Sequence, residues 1–372
     1  MSMVLIRRLK MITYLKDMIQ RSPGQLITYA DYISQALYHS EYGYYMKDKQ
    51  KIGREGDFIT TSNISDIFGR IIAKWFSFIV KKTQLPPVFC EVGAGNGRFA
   101  RAFLEEWQSK VNTPITYIIV ESSPYHRKLQ NELLTEFDVI QAAGLNELAP
   151  FEGMVFSNEL FDALPVHVVE KENGQLFEVM VGIENDQLHE VKVPLTDKAI
   201  LQFLQENDFE LNEKQRIEIP LYMGNMLDEM GKVLVRGLVT TVDYGYTHDE
   251  WMQAQRRNGS LRGYYQHQMI ENVLQHPGEM DITSHIHFDS LIKRGNQAQL
   301  HFAAKLRQDE FLLKAGILQE LQEHFDPNPF SEQSKRNRAI RSLILPTGMS
   351  SSFHVCIQEK DMKCEQTELF PN

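Results

Sequence analysis

The chain's 372 residues exceed the ~150-residue length of an average domain by enough for one large elaborated domain or two modest ones. Hydrophobic residues make up 42% and charged residues 24%, with 22 Gly and 14 Pro, which excludes collagen-like, low-complexity and wholly disordered chains. Lys and Arg number 39 against 49 Asp and Glu, and the formal net charge of -10 argues against a general electrostatic grip on nucleic-acid phosphates.

From Met1 to about Leu85 the apolar spacing is mostly helical. Arg7, Arg8 and Lys10 precede the first acid, Asp17, yet helical patterning runs on through Leu15, Met18 and Ile19, which reads as helix rather than presequence. A Gly/Tyr-rich passage from Glu41 to Asp57 reads as loop. The longest apolar run, Ile71 to Val80, contains Lys74 and Ser77 and falls short of the ~18 residues that span a bilayer, so no membrane partner is expected. Residues 1–85 are expected to form an N-terminal helical and lid segment.

Pro86-Pro87 ends that segment. Val88 to Val92 is a short apolar strand entering a glycine turn, and Phe99, Ala100, Phe103, Leu104 and Trp107 follow at helical spacing. Tyr117 to Val120, Phe137 to Ile140 and Met154 to Phe156 repeat the strand signal, each a helix length apart. Such β-α repeats predict an α/β fold with a parallel sheet covered by helices. Val166 to Glu170, Leu176 to Gly182 and Leu188 to Val193 are separated by Asn173-Gly174 and Asn185-Asp186, as in hairpins, and predict an antiparallel extension of that sheet. Lys198 to Arg236 reads as largely helical, Leu238 to Val242 as a further strand, and Trp251 to Leu291 as mixed. The core is therefore expected over 86–360, with insertions at about 196–236 and 250–297 and a loose tail at 361–372. Cys90, Cys356 and Cys364 show no paired or C-x-x-C spacing, so no disulfide scaffold or cysteine-rich metal site is supported and a reducing compartment, the cytoplasm, is expected.

Glu91-Val92-Gly93-Ala94-Gly95-Asn96-Gly97 sets three glycines at alternate positions between strand and helix, where a tight turn and close approach of backbone to a ligand both require absent side chains. A dinucleotide fingerprint would place its third glycine at position 98, where this chain has Arg98. The pattern favours S-adenosylmethionine over NAD. Glu121, at the end of the second strand, stands where an acid accepts hydrogen bonds from both ribose hydroxyls of a bound nucleoside. Helix N-terminal amides after Gly97 can face the methionine carboxylate of that cofactor.

Ser157 to Pro165 follows the fourth strand, at the carboxyl edge of the sheet where open α/β folds bind ligands. Glu159 and Asp162 are three apart, so a helix here would set both carboxylates on one face, with Asn158 capping the turn and Pro165 closing it. Position makes Glu159 and Asp162 the catalytic candidates. Acids in a first helical turn also complement the helix dipole without any catalytic duty.

S-N-E-L-F-D-A-L-P-V at 157–166 and E-V-G-A-G-N-G-R-F-A at 91–100 resemble the MidA family of class I methyltransferases. The likeness extends to Glu41-Tyr42-Gly43-Tyr44-Tyr45, to Gly53 through Gly69, and to Asp243-Tyr244-Gly245, Gly259-Ser260-Leu261-Arg262 with His267, Pro277 to Thr283, and Phe311-Leu312 with Gly316-Ile317. The chain departs from the family pattern in two places: Ser62-Asn63 replaces Pro-Glu, and His287 replaces an Asp. The resemblance implies a Rossmann-like methyltransferase core with helical additions, S-adenosyl-L-methionine as cofactor, a protein substrate, and arginine methylation in at least one branch. Homodimerisation is left open.

Arginine stays protonated at neutral pH, so a carboxylate pair would orient its guanidinium by charge-assisted hydrogen bonds. Glu159 and Asp162 are expected to serve. The cofactor is expected to contact Glu91, Gly93, Gly95, Gly97, Glu121 and Asn158, with Gly56, Asp57, Thr60 and Thr61 forming part of a lid. The alternative is a non-catalytic cofactor-binding assembly factor that chaperones a partner protein. A metal-dependent hydrolase built on His267, His276, His285 and His287 would need a further ligand at close range.

Overall fold

The computed structural model describes residues 3–47, 66–111, 113–321, 328, 331–345, 352–362 and 368–371. In chain order these run through α1 (Met3–Arg21), β1 (Ile27–Thr28), α2 (Tyr29–Tyr38), α3 (Ile67–Thr83), β2 (Val88–Val92), α4 (Arg98–Lys110), β3 (Thr116–Val120), α5 (Pro124–Leu133), β4 (Val139–Ala142) and β5 (Phe151–Asn158). There follow β6 (His167–Glu172), β7 (Gln175–Glu184), β8 (Gln187–Pro194), α6 (Lys198–Glu206), β9 (Arg216–Ile219), α7 (Leu221–Val233), β10 (Leu234–Tyr246) and α8 (His248–Trp251). The remainder holds β11 (Arg262–Tyr265), β12 (Gln268–Ile270), β13 (Asp281–Thr283), β14 (Ile286–His287), α9 (Phe288–Gln297), β15 (His301–Arg307), α10 (Gln308–Lys314), α11 (Glu332–Ile344) and β16 (Phe353–Lys360).

The central sheet has the order β4-β3-β2-β5-β10-β16-β15, with β14 also on β10. Its first five strands are parallel, while β16 and β15 run antiparallel. This is the Rossmann-like sheet that the resemblance implies, with an antiparallel edge made by β16 and β15 rather than by the hairpins. Successive residues of a strand point to opposite faces, and both faces are buried here. Phe89, Met154, Phe156 and Leu238 enter one core with α3, α4 and α10. Cys90, Val155 and Val239 enter the other with α7 and α9. Burial on both faces is why these strands read as continuous apolar runs rather than alternating ones.

The order reverses between β2 and β5, so the carboxyl ends of these neighbours open the crevice at which such sheets bind ligands. On the α4 side, Phe99, Phe103 and Trp107 pack in stacked, tilted and edge-to-face contacts with Phe76, Phe89 and Tyr117. Truncating one such ring to Ala costs about 3–5 kcal/mol, which fixes the helix that carries the glycine turn.

The hairpins do not extend the central sheet. They form a separate sheet, β1-β7-β6-β9 with β8 on β7, whose one face packs on α1 and α2 and whose other packs on α6 and Trp251. Local pattern gives hairpins but not the sheet they join. The 196–236 insertion likewise includes the strand β9 between its two helices. The tail is not loose where it is described: Leu369 is fully buried, and its carbonyl accepts from Trp75 Nε1 at 2.7 Å. Among the described residues, no helix is long and apolar enough to cross a membrane.

Candidate functional site

A cavity of about 870 Å³ opens at the carboxyl ends of β2 and β5, within the 300–1,000 Å³ range of small-molecule sites. Gly93 to Asn96, Glu121, Asn158, Glu159 and Asp162 line it, with Tyr38 and Tyr45 from the N-terminal segment and Tyr244, Arg262, Asp281 and His285 from the C-terminal half.

The glycine turn is built as its spacing requires. Gly93, Gly95 and Gly97 have φ of 77°, 54° and 79°, the left-handed region in which a Cβ costs roughly 1–2 kcal/mol. Gly97 also faces Gln130, whose Cγ would stand 3.0 Å from an added Cβ. The Gly93 amide donates to the Val120 carbonyl at 2.8 Å, and Gln130 Nε2 donates to the Gly95 carbonyl at 2.7 Å. Nothing in the sequence had singled out Gln130, which is fully buried and reaches the turn from the next helix.

Glu121 is 7% exposed. Its Oε2 accepts from the Gly95 amide at 2.9 Å and its Oε1 from the Ser123 amide at 2.8 Å. Each carboxylate oxygen keeps a lone pair for a further donor. Glu91 stands on the cavity wall with its Oε2 accepting from the Tyr117 hydroxyl at 2.7 Å. Burial pushes its carboxyl up to about 8 against the opposing effect of Tyr117, and the nearby Glu121 charge adds to the rise.

The segment after β5 is not a helix but a bend and turn. The reason lies 82 and 81 residues away in sequence: Asp243, fully buried near the end of β10, accepts from the Phe161 and Asp162 amides through Oδ2 at 3.0 and 3.3 Å. Its Oδ1 accepts from the Tyr244 amide at 2.9 Å. A tertiary carboxylate thus takes the amides that a helix start would present. Asn158 is consequently no cap. Its Nδ2 donates to Glu159 Oε1 at 3.1 Å, while its Oδ1 is buried with no partner among the described residues.

Glu159 has φ of 51°, a left-handed conformation that costs a non-glycine residue about 1–3 kcal/mol and concentrates at functional sites. Asp162 accepts from the Tyr244 hydroxyl, and its Oδ1 has no partner among the described residues. Burial raises the Asp162 carboxyl to about 6, against the Tyr244 hydrogen bond and the positive charge of Arg262. Burial and the neighbouring Asp162 charge also hold Asp243 well above the usual carboxylate range. The two catalytic candidates therefore share the cavity, as their place at the carboxyl edge of the sheet suggested, but through a turn and not through the helical face their spacing suggested.

Several lining groups come from segments whose landmarks had no role attached. The Tyr45 hydroxyl donates to Asp281 Oδ1 at 2.6 Å, and the Tyr45 carbonyl accepts from Ser123 Oγ at 2.7 Å. Tyr38 donates to the Ala163 carbonyl at 3.0 Å. His285 stacks on Tyr246 and His287 on Trp251. Gly56, Asp57, Thr60, Thr61 and the Ser62-Asn63 departure lie outside the described residues.

A family model of S-adenosyl-L-methionine-dependent methyltransferases matches residues 71–305. The mitochondrial protein arginine methyltransferase NDUFAF7 of Rattus norvegicus is 27% identical over 363 residues, covering 88% of this chain and 80% of its own. The Homo sapiens protein of that name is 26% identical over 364 residues, covering 88% and 79%. A crystal structure from Burkholderia thailandensis, solved bound to S-adenosyl-homocysteine, matches at TM-score 0.89 and 25% identity, covering 98% of this chain and 95% of that one.

Proposed function

Because this chain belongs to the S-adenosyl-L-methionine-dependent methyltransferase family and takes that compound as methyl donor, we propose that its acceptor is an arginine guanidinium of a protein substrate. The observation that carries this reading is the meeting of Glu159 and Asp162 on the cavity wall that Gly93 to Asn96 and Glu121 also line, Gly97 standing just behind it. The names of the rat and human relatives support it.

The residues present fit the cofactor. Gly93, Gly95 and Gly97 offer bare backbone, Glu121 would accept from the ribose hydroxyls, and Asn158 Oδ1 is a buried acceptor still in want of a donor. We assign Glu91 a supporting part beneath the turn, anchored by Tyr117. The sulfonium of the cofactor supplies an electrophilic methyl and a neutral thioether leaving group. The chain's own work is therefore alignment, whose effect on rate is large. Glu159 and Asp162 would hold the guanidinium by charge-assisted hydrogen bonds, and Asp162, with its raised carboxyl, would accept the proton that nitrogen loses on methylation. Cys90 and Cys356 are free and buried, which supports the proposal of a reducing compartment, the cytoplasm.

The test is transfer from labelled S-adenosylmethionine into a lysate of cells that lack the protein, followed by mass spectrometry of the labelled polypeptide. Label on an arginine side-chain nitrogen is expected. Label on another atom, or on no protein at all, would overturn the assignment.

A further inference from the structure

The cavity wall that carries Glu121, Glu159, Asp162 and Asp281 also carries a single Lys or Arg among the described residues, Arg262. It lies on β11, paired across the small three-stranded sheet with Thr283. Its Nη2 is 3.3 and 3.2 Å from Nδ1 and Nε2 of His285, and its guanidinium carbon is 5.9 and 6.0 Å from the centres of the Tyr244 and Tyr264 rings.

None of these neighbours is an anion. Burial, aided by the charges of Arg262 and Arg256, lowers His285 to about 3, so its ring is neutral over the working range and donates no countercharge. Arg262 makes no ion pair among the described residues, whereas Arg70, Arg216, Arg236, Arg294, Arg307 and Arg336 each do. Its Nε is buried without an acceptor. A guanidinium half withdrawn from water and flanked by rings, with Asp162 near enough to feel its charge but no carboxylate in direct ion-pair contact among the described residues, is a costly arrangement when empty and a receptive one for a carboxylate, which it can bind through two parallel hydrogen bonds.

We propose that Arg262 receives a carboxylate carried by the substrate beside its target arginine, so that the site selects an acidic residue flanking the methylated position. The inference rests on arginine being the acceptor. A carboxylate could also come from the methionine end of the cofactor. The substrate is favoured because Arg262 stands among Tyr244, Tyr264 and His285, while the cofactor residues assigned above are on the turn after β2 and at the ends of β3 and β5. A purely structural role, neutralising Asp162, would act equally on every substrate.

Matched peptides, with a central arginine and either Glu or Gln at each flanking position in turn, are titrated into the full chain saturated with S-adenosylhomocysteine. At one position the Glu peptide should bind at least tenfold more tightly than its Gln twin. Arg262→Gln should bring that ratio to about one, and Arg262→Lys, which keeps the charge but not the fork, should retain part of it. Equal affinity within every pair, absence of binding included, overturns the inference, as does a ratio that survives Arg262→Gln. A tenfold loss of S-adenosylhomocysteine affinity in Arg262→Gln with the peptide ratio unchanged would place the carboxylate on the cofactor and also overturn it. Failure of the arginine assignment is read separately, as label on a different atom in the transfer experiment.

Discussion

The backbone amide of Gly95 donates to Glu121 Oε2 at 2.9 Å, so the acid at the end of β3 and the glycine turn after β2 are one hydrogen-bonded unit. A ligand held by the carboxylate is held by the turn as well. Replacing Glu121 with Gln removes the charge and turns an N–H₂ group toward one of the two amide donors. A charged hydrogen bond contributes about 1.5–3 kcal/mol, so S-adenosylhomocysteine affinity should fall about tenfold to a hundredfold by calorimetry. Unchanged affinity would remove Glu121 from the cofactor site.

Gly97→Ala puts a Cβ into a φ of 79° and 3.0 Å from Gln130 Cγ. The left-handed conformation alone costs roughly 1–2 kcal/mol, and a displaced Gln130 loses its bond to the Gly95 carbonyl. We expect a lower Tm together with weaker S-adenosylhomocysteine binding. A variant as stable and as tight as the parent would show that the turn tolerates side chains.

Asp162 gives a pH signature. Its carboxyl is raised from an ordinary 3.8 to about 6 by burial, so the folded chain holds a proton that the unfolded chain has released between those values. The stabilisation is complete below about pH 4 and lost as pH rises through 6. Asp162→Asn should therefore match the parent's unfolding free energy at pH 4 and exceed it at pH 8, by on the order of 3 kcal/mol. Transfer should show the reverse: the parent's kcat/KM rises through about pH 6, and the Asn variant loses roughly 10²–10⁴-fold, the usual contribution of a positioned base. A flat pH profile in the parent would contradict the assignment.

Glu159→Gln keeps shape and removes charge at the strained position. Turnover should drop at least a hundredfold while S-adenosylhomocysteine affinity, by calorimetry, stays within twofold. Undiminished product formation would exclude Glu159 from the chemistry.

The parts of this site legible in the sequence are the local ones. Positive φ at Gly93, Gly95 and Gly97 is demanded by the turn itself, and Glu121 follows from where the next strand ends. The conformation of Ser157 to Pro165 was not legible, because its amides are claimed by Asp243 from another strand. The hairpin pattern from Val166 to Val193 likewise fixes pairs of strands, but β1 and β9 at their flanks make them a separate sheet. Tyr45, Asp281 and Arg262 reach the cavity only through tertiary packing of segments far apart in the chain, and no spacing announces that.

The most direct measurement is a crystal structure of the full chain with S-adenosylhomocysteine. Ribose hydroxyls on Glu121, the ligand lying along Gly93 to Gly97, and its sulfur turned toward Glu159 and Asp162 are expected. Ligand bound elsewhere, or a hollow beside Glu121 filled by the protein's own side chains, would contradict this.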